Sequence, residues 1–600
     1  MSWLDGAQSV VTMFLLIAYL YNSVYCCTVV TMYYDDCTYK HGQRTYHRDL
    51  LRESHRVNGK VVKKTIANIT DWPSPVKAAI RQALADGRVG VKGQANAGSQ
   101  TESLVTLLAD HRGQRPVQGK AIGAVATILT LAERLGITAA LGDDRQGRLA
   151  LLQVIARVLD QGSRLSAVRL AHSHLLAELL RVPHFNEDDL YDNLDWLAAQ
   201  QATIEDRLFT AAYPTLQRPN LFLYDVTSSY FEGTDNELAA FGYNRDGKKG
   251  KKQVVAGLLT DQQGTPWSIE LFPGNTADPS TVPSQLSKLR TRFGGGELTL
   301  VGDRGMLKVP QQRALGELGM HYLTAITKAQ IMGLLRQGTI QLELFEQELA
   351  EVTEADAGKR YILRRNPAQA ERVCRRRKDQ LATWRRFLAS TNDYLKAHPR
   401  ASLEAATRRV TGRAVRLKLA DFLQVIAQEG QLHEQLDEAA MAVASELDGC
   451  YVLCTDLGPS VASKETLDAR YHDLAKVEWA FRSCKTAHLE MRPIYLRNEA
   501  RTRAHALVVM LAYRLRQQLA EHWVGLDSTV QNGLDKLSQL CVQGVKVPGG
   551  AMIWETPVPR DDIQALLTAA AIKLPTLIPP PDHTVDTTRK LPSRRKLRKK

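Results

Sequence analysis

The chain has 600 residues, 44% of them hydrophobic, with 78 Lys and Arg against 64 Asp and Glu for a formal charge of +14. This length and composition exclude a disordered or fibrous chain and call for several packed cores, since single cores stop growing near about 250–300 residues. The basic balance points to a polyanionic partner, nucleic acid or an anionic membrane surface, yet much of it sits in one place: eight basic residues and no acid lie between Arg589 and Lys600. Such a block repels itself and reads equally as a solvated tail or as a non-specific phosphate contact. The eight cysteines show neither the paired spacing of a zinc site nor the density of a disulfide scaffold, so a reducing cytoplasm is the expected compartment. Cys450 and Cys454 lie in a strand-like segment and read as buried small hydrophobes.

In chain order, Val10 to Tyr34 is nearly all apolar and long enough to cross a bilayer, but no Lys or Arg precedes it and no small-residue cleavage site follows. Residues 1–31 are therefore read as a doubtful N-terminal extension, with Met32 as a candidate true start and a membrane anchor as the alternative. Residues 32–115 form an N-terminal region: a β-hairpin between Tyr46 and Ile69, turned at Asn58-Gly59 in type I′ geometry, then a helix and a polar connection after Asp71-Trp72-Pro73-Ser74-Pro75. Over 116–216, Leu and Ala recur every three or four residues and predict an all-helical domain.

Composition changes at Asn220. Leu221–Thr227, Gln253–Leu259 and Trp267–Phe272 read as three consecutive strands joined by Gly/Asp turns. A helix over Thr281–Phe293, a strand over Leu298–Gly302, another helix and a strand over His321–Thr327 follow. Strand, strand, strand, helix, strand, helix, strand is the order of an RNase H-like α/β fold, whose first part is placed at 217–330. Residues 331–449 are read as an insertion domain, with a strand-like piece at Thr339–Phe345 and a basic helix over Arg364–Arg386. The core resumes over 450–535 with a strand at Cys450–Thr455, one helix from Ser463 to Thr486 and another from Asn498 to Glu521. Residues 536–600 close the chain, with Pro579-Pro580-Pro581 as a stiff breaker before the basic tail.

Phosphoryl transfer on DNA without an organic cofactor needs charge neutralised on the phosphate, which carboxylates achieve by holding two divalent ions. Asp225 and Asp303 each end a predicted strand and could face one another across the sheet, although a lone Asp there is more often a turn or cap residue. In the segment after Ser463, Tyr471, Leu474, Glu478, Arg482 and Lys485 recur at intervals of three, four, four and three. They fall within roughly an 80° arc of one helix face. Taken alone, that face reads as a solvated stripe with a Glu478–Arg482 pair.

Taken together, these residues resemble the DDE transposases of bacterial insertion sequences, superfamily four, whose signature is tyrosine, two residues, arginine, three residues, glutamate, six residues, lysine. Tyr471, Glu478 and Lys485 match that spacing, and Leu474 stands where the arginine is expected. Asp225 in YDVTSSYFEG, Asp303 in Asp303-Arg304-Gly305, the preceding FPGNTAD and the later Arg492-Pro493-Ile494-Tyr495 also match. The resemblance runs from about Tyr46 to Leu519 and leaves residues 1–31 without counterpart.

It implies that Asp225, Asp303 and Glu478 are the catalytic carboxylates and bind two Mg²⁺ ions, with Mn²⁺ able to substitute. It further implies that Tyr471 and Lys485 grip DNA and that the inserted domain helps hold transposon ends; Leu474 reads first as subgroup drift, otherwise as a loss compensated by Arg482 or Arg470 or as the mark of a weakened copy, with Arg482 taken as a further DNA contact. The expected partners are double-stranded DNA, as element ends and target, and a second copy of the chain in a homodimer, with no small-molecule cofactor. The implied reaction is hydrolysis of a phosphodiester followed by attack of the freed 3′-hydroxyl on target DNA. A DNA-binding remnant that does not cut and a metal-dependent nuclease of the same fold are the alternatives.

Overall fold

The computed structural model describes residues 31–41, 44–57, 60–70, 77, 81, 117–214, 218–233, 235–248, 250–294, 297–354, 358–486, 489–492, 496–546, 552–578 and 584–585. The chain divides into two compact units: residues 1–119 with 541–558 and 575–580, and residues 120–540 with 559–574 and 581–600.

In the first unit, Thr31–His41 (β1), Arg44–Val57 (β2) and Lys60–Asn68 (β3) form an antiparallel meander. Val57 pairs with Lys60, the register that a two-residue turn requires; Asn58 and Gly59 themselves lie outside the described residues. Strand β1 has no counterpart in the sequence reading, because its first residues belong to the apolar stretch ending at Tyr34. It pairs with β2 so that Tyr34 faces Leu51. Val117–Ala121 (β4) joins Cys541–Lys546, Met552–Glu555 and Leu577–Ile578 in a four-stranded sheet. Residues 1–30, most of 71–116, Pro579–Pro581 and the basic tail lie outside the described residues. Among the described residues no helix is long and apolar enough to cross a membrane.

The second unit opens with six helices between Gly123 and Ala212, interrupted by the short strand His184–Phe185 (β5). Their ends follow capping chemistry: the Asp144 side chain accepts from the Gly147 amide, and Asn186 and Asp189 form a reciprocal capping box at the start of Glu187–Ala212.

After Asn220 come Leu221–Tyr230 (β6), Gln253–Asp261 (β7), Pro266–Pro273 (β8), Thr299–Gly302 (β9) and His321–Ala325 (β10). Strands β7 and β8 extend antiparallel on one side of β6, while β9 runs parallel to β6 and β10 parallel to β9 on the other. Ala350–Glu354 (β11), Lys359–Arg365 (β12), and later Cys450–Thr455, complete an eight-stranded mixed sheet. The fold of this unit is thus mixed α/β.

Two strands of that sheet, β11 and β12, were not read from the sequence because charged residues interleave their apolar ones. Arg360 is 2% exposed; it forms a two-point pair with Glu351 and also donates to the carbonyls of Leu457 and Ala462. The strand-like piece at Thr339–Phe345 is instead a 3-10 turn, Leu342–Glu346, which buries Phe345 and leaves Leu342 at the surface. The basic stretch forms the helix Pro367–Ala397, but its expected first residues, Arg364 and Arg365, belong to β12. That helix, Leu403–Arg416 and the hairpin Leu423–Gln428 (β13) with Gln431–Leu436 (β14) enclose their own core around Trp384, Val410, Leu419 and Leu432.

Cys450–Thr455 (β15) is followed by two helices rather than one, Lys464–His472 and Leu474–Lys485. The Lys476 amide bonds the Asp473 carbonyl three residues back, which tightens the turn there. The Asp473 carboxylate meanwhile takes Lys476 at 2.9 Å and Arg470 at 3.2 Å. The helix Glu499–His522 is buried from Ala504 to Arg516, Arg514 and Arg516 included, and packs on β8 and on the helices Arg145–Leu159 and Glu187–Ala212.

On β6, Tyr224 is fully buried and its ring crosses Gly257 of β7, where an added Cβ would lie 2.3 Å from the phenol oxygen and 2.9 Å from ring carbons. The buried ring cannot swing aside. Gly257→Ala is expected to cost about 1–3 kcal/mol, read as a lower melting temperature; an unchanged melting curve would mean that the contact does not constrain the sheet.

Candidate active site

The three carboxylates come together through strand register and helix packing. Tyr224 of β6 pairs with Gly302 of β9 in parallel, so the next residues along, Asp225 and Asp303, stand beside each other on neighbouring strands. Asp303 ends its strand as expected. Asp225 lies in the middle of β6, which continues to Tyr230. Glu478 enters from the helix Leu474–Lys485, which packs on β6 through its buried residues Leu474, Val477, Phe481 and Cys484.

All three line one open cavity of about 920 Å³, together with Tyr471, Leu474, Arg482 and Lys485. The helix face read from residue spacing therefore survives the break at Asp473, whose dihedrals (φ −61°, ψ −18°) remain helical. Arg470, the other residue considered as a replacement for the missing arginine, is not on this wall; it pairs with Asp473.

Burial, reinforced by like charge, dominates the electrostatics. The Asp225 carboxyl is pushed up to about 7, first by burial and then by Asp303 and Glu478, with only partial relief from the Val226 backbone and Arg245. Asp303 accepts from the Arg304 amide at 2.8 Å and from the Tyr471 hydroxyl at 3.4 Å. Burial and the Asp303 charge push the Tyr471 phenol up, keeping it a neutral donor. Glu478 is exposed and makes no hydrogen bond or ion pair to another described residue. Leu474, Phe481 and Met306 give the cavity a buried apolar side.

The carboxylate set has the hard oxygen donors and the uncompensated charge that suit a divalent cation. Among the described residues, however, no three His, Cys, Asp or Glu side chains gather closely enough to surround a single ion. The three carboxylates line the cavity without converging on one point.

Several cavity residues were not singled out from the sequence. Arg245 and Asp246 come from the polar connection between β6 and β7, where the Arg245 amide donates to Ser228 Oγ at 2.9 Å and the Tyr230 amide donates to the Asp246 carboxylate at 3.2 Å. Asp278 pairs with the Arg245 guanidinium. Arg492 reaches the Glu490 carboxylate and the Tyr230 hydroxyl. Asp278 and Arg492 fell inside motifs that the family resemblance quoted, whereas Arg245 and Asp246 looked like ordinary loop charge.

Residues 217–515 match the family model described as a transposase DDE domain, which supports a DDE transposase and with it the nuclease/transposase class of enzyme. Among solved structures the chain is similar to a piggyBac transposase in a synaptic complex with hairpin DNA, seen by cryo-EM. The identity is 8% and the TM-score 0.32, over 70% of this chain and 69% of that one. No curated protein matches the chain.

The raised Asp225 pKa has a definite sign. Between about pH 4, the ordinary carboxylate value, and pH 7 the folded state holds a proton that the unfolded state has released, so this group's contribution to stability falls as pH rises through that window. Asp225→Asn is expected to stabilise the fold at pH 8 by on the order of a few kcal/mol at most, read as a higher melting temperature, and to change little at pH 4. A gain of equal size at both pH values would contradict the account from burial and like charge.

Proposed function

We propose that the chain is a DDE transposase that binds the terminal inverted repeats of an insertion sequence, cleaves DNA there and transfers the freed strand into target DNA. The observation that carries this reading is the grouping of Asp225, Asp303 and Glu478 on one cavity wall, within the stretch that matches the transposase DDE domain. Its core is read as RNase H-like because the strand order β8-β7-β6-β9-β10 is an antiparallel meander followed by two strands parallel to its first member.

Asp225, Asp303 and Glu478 are the proposed ligands of two divalent cations, Mg²⁺ with Mn²⁺ as a substitute. When bound, these supply charge neutralisation on the phosphate and activation of the attacking oxygen. The chain's own residues do the rest. Asp225 releases its proton before it can act as a ligand. The Tyr471 hydroxyl orients Asp303, and Tyr471 and Arg482 face the DNA backbone. Leu474, Phe481 and Met306 keep one side of the cavity dry, which strengthens every charge interaction inside it. The proposed partners are double-stranded DNA, as element ends and as target, and a second copy of the chain, so that each end meets one active site; no small-molecule cofactor is needed.

One observation favours a second reading, an element-end binder that does not cut. Leu474 is 8% exposed in the cavity wall, and leucine cannot reproduce the two-point phosphate contact of an arginine.

Incubating the protein and Mg²⁺ or Mn²⁺ with duplexes carrying the DNA that flanks its gene separates the readings. Alanine at Asp225, Asp303 or Glu478 is expected to lower cleavage by more than about 100-fold while end binding persists. Full activity in Asp303→Ala would sink the assignment, and cleavage without joined product would leave a nuclease. In a parallel measurement, Mg²⁺ is expected to raise the wild-type melting temperature more at pH 8 than at pH 5, because the ion competes with the Asp225 proton, and to leave the triple alanine variant unmoved. A shift of the same size in the triple variant would put the cation elsewhere.

A further inference from the structure

Among the described residues, four Arg and Lys side chains line the cavity: Arg245, Arg482, Lys485 and Arg492. A cation grips a phosphate only through N–H donors that the protein has not already taken. Arg245 gives one of its five donors to Asp278, which offsets its charge. Arg492 spreads its guanidinium over Glu490, the Tyr230 hydroxyl and Glu232.

Lys485 is committed more completely. An ammonium group has three donors and no more. Lys485 Nζ donates to Thr227 Oγ1 at 3.2 Å, to the Ser228 carbonyl at 2.6 Å and to the Asp246 carboxylate. The side chains of Lys485 and Asp246 are only 19% and 17% exposed, so water competes weakly for the pair. Arg482 is the contrast. It is exposed, its guanidinium stands 5.6 Å from the centre of the Trp479 ring, and its side chain makes no hydrogen bond or ion pair to another described residue.

The places that Lys485 joins give those bonds a purpose. It is the last residue of the helix that carries Glu478. Two of its acceptors lie just past Asp225 on β6, and the third is on the connection that also supplies Arg245. We propose that Lys485 is a positioning residue, which fastens the Glu478 helix to β6 and thereby fixes Glu478 against Asp225, and that the phosphate contact on this wall falls to Arg482. The proposal rests on the transposase reading for its DNA partner, but the Lys485–Asp246 coupling stands independently of it.

The test uses the full chain in four forms, wild type, Lys485→Met, Asp246→Asn and Arg482→Gln, with a Lys485→Met/Asp246→Asn double variant. Binding to gene-flanking duplexes is followed from about 50 to about 200 mM salt, where each lost phosphate contact lowers the slope of log affinity on log salt by about 0.9. Arg482→Gln is expected to lower the slope by about one contact. Lys485→Met is expected to leave affinity and slope unchanged, yet to slow single-turnover cleavage at saturating DNA by about 10- to 100-fold, as loss of an outer-shell orienting group does. Asp246→Asn should follow Lys485→Met in both respects.

Melting curves add a readout without DNA. The double variant should recover much of the melting temperature lost in Lys485→Met, because that loss comes from the stranded Asp246 carboxylate. A lower salt slope in Lys485→Met, together with tighter binding in Asp246→Asn, would overturn the proposal by making Lys485 a phosphate ligand that Asp246 holds back. Additive melting losses would overturn the coupling. If wild-type protein binds no flanking duplex, the transposase reading and the Arg482 assignment fail together, and the melting cycle still decides the Lys485–Asp246 pair.

Discussion

The parallel pairing of β6 with β9 is the constraint on which the rest of the second unit depends. It sets Asp225 next to Asp303 in the middle of a sheet, where water is partly excluded and two negative charges repel at short range. Such a placement is a local cost that neighbouring structure must offset. Strand β6 is central, with β7 and β8 beyond it on one side and five strands on the other, so register fixes Asp225, while Asp303 stands exposed just past the end of β9. The raised Asp225 pKa is the visible sign of that cost.

The offset comes from groups that each satisfy several partners. Asp261, at the end of β7, accepts from the Tyr213 hydroxyl and Trp267 Nε1 with one oxygen, and from the amides of Gln263 and Thr265 with the other. Arg514 of the buried helix lies 4.2 Å from the centre of the Trp267 ring, a cation–π contact made stronger by desolvation. Burial drives its guanidinium down to about 10. Arg292 pairs with Glu205 and Asp206 of the helix Glu187–Ala212. These ties join the helical region to the sheet across long sequence separations, so β6 is held by more than its ladder bonds. Buried ionic contacts of this kind add little net stability over apolar packing, but removing one partner strands the other, which favours a single arrangement.

Much of this was legible in the sequence, and the parts that were not share a cause. Strands β6 to β10 and β15 were readable because β-branched and leucine runs were bounded by Gly, Asp and Pro. Glu478 and its neighbours were readable because helical spacing survives even a one-residue tightening at Asp473. Strands β11 and β12 were hidden because Arg360 is buried with Glu351, and a sequence reading treats charge as surface. Thr339–Phe345 misled in the opposite direction, since alternation over so few residues can equally be met by one 3-10 turn that buries Phe345. Arg245 and Asp246 were invisible as site residues: their roles arise only when the β6–β7 connection folds over the end of β6. Spacing within one helix also cannot reveal that Lys485 spends its donors on β6 and that connection.

The distribution of charge in the cavity leads to a last step. Arg245 is cancelled by Asp278, Lys485 by Asp246 and Arg492 by Glu490. What remains facing the open space is Asp225, Asp303 and Glu478 against Arg482. With the carboxylates ionised, that wall is net negative, and a DNA backbone brought to it alone meets repulsion strengthened by the apolar side of the cavity. A polyanion can settle there only if positive charge arrives with it or before it. Among the described residues, three of the four cavity cations are paired with Asp278, Asp246 and Glu490, so under the proposed function mobile ions are the proposed source of the missing charge. Under the proposed function, occupancy of the cavity by cation and by nucleic acid would be one coupled event, each raising the affinity for the other.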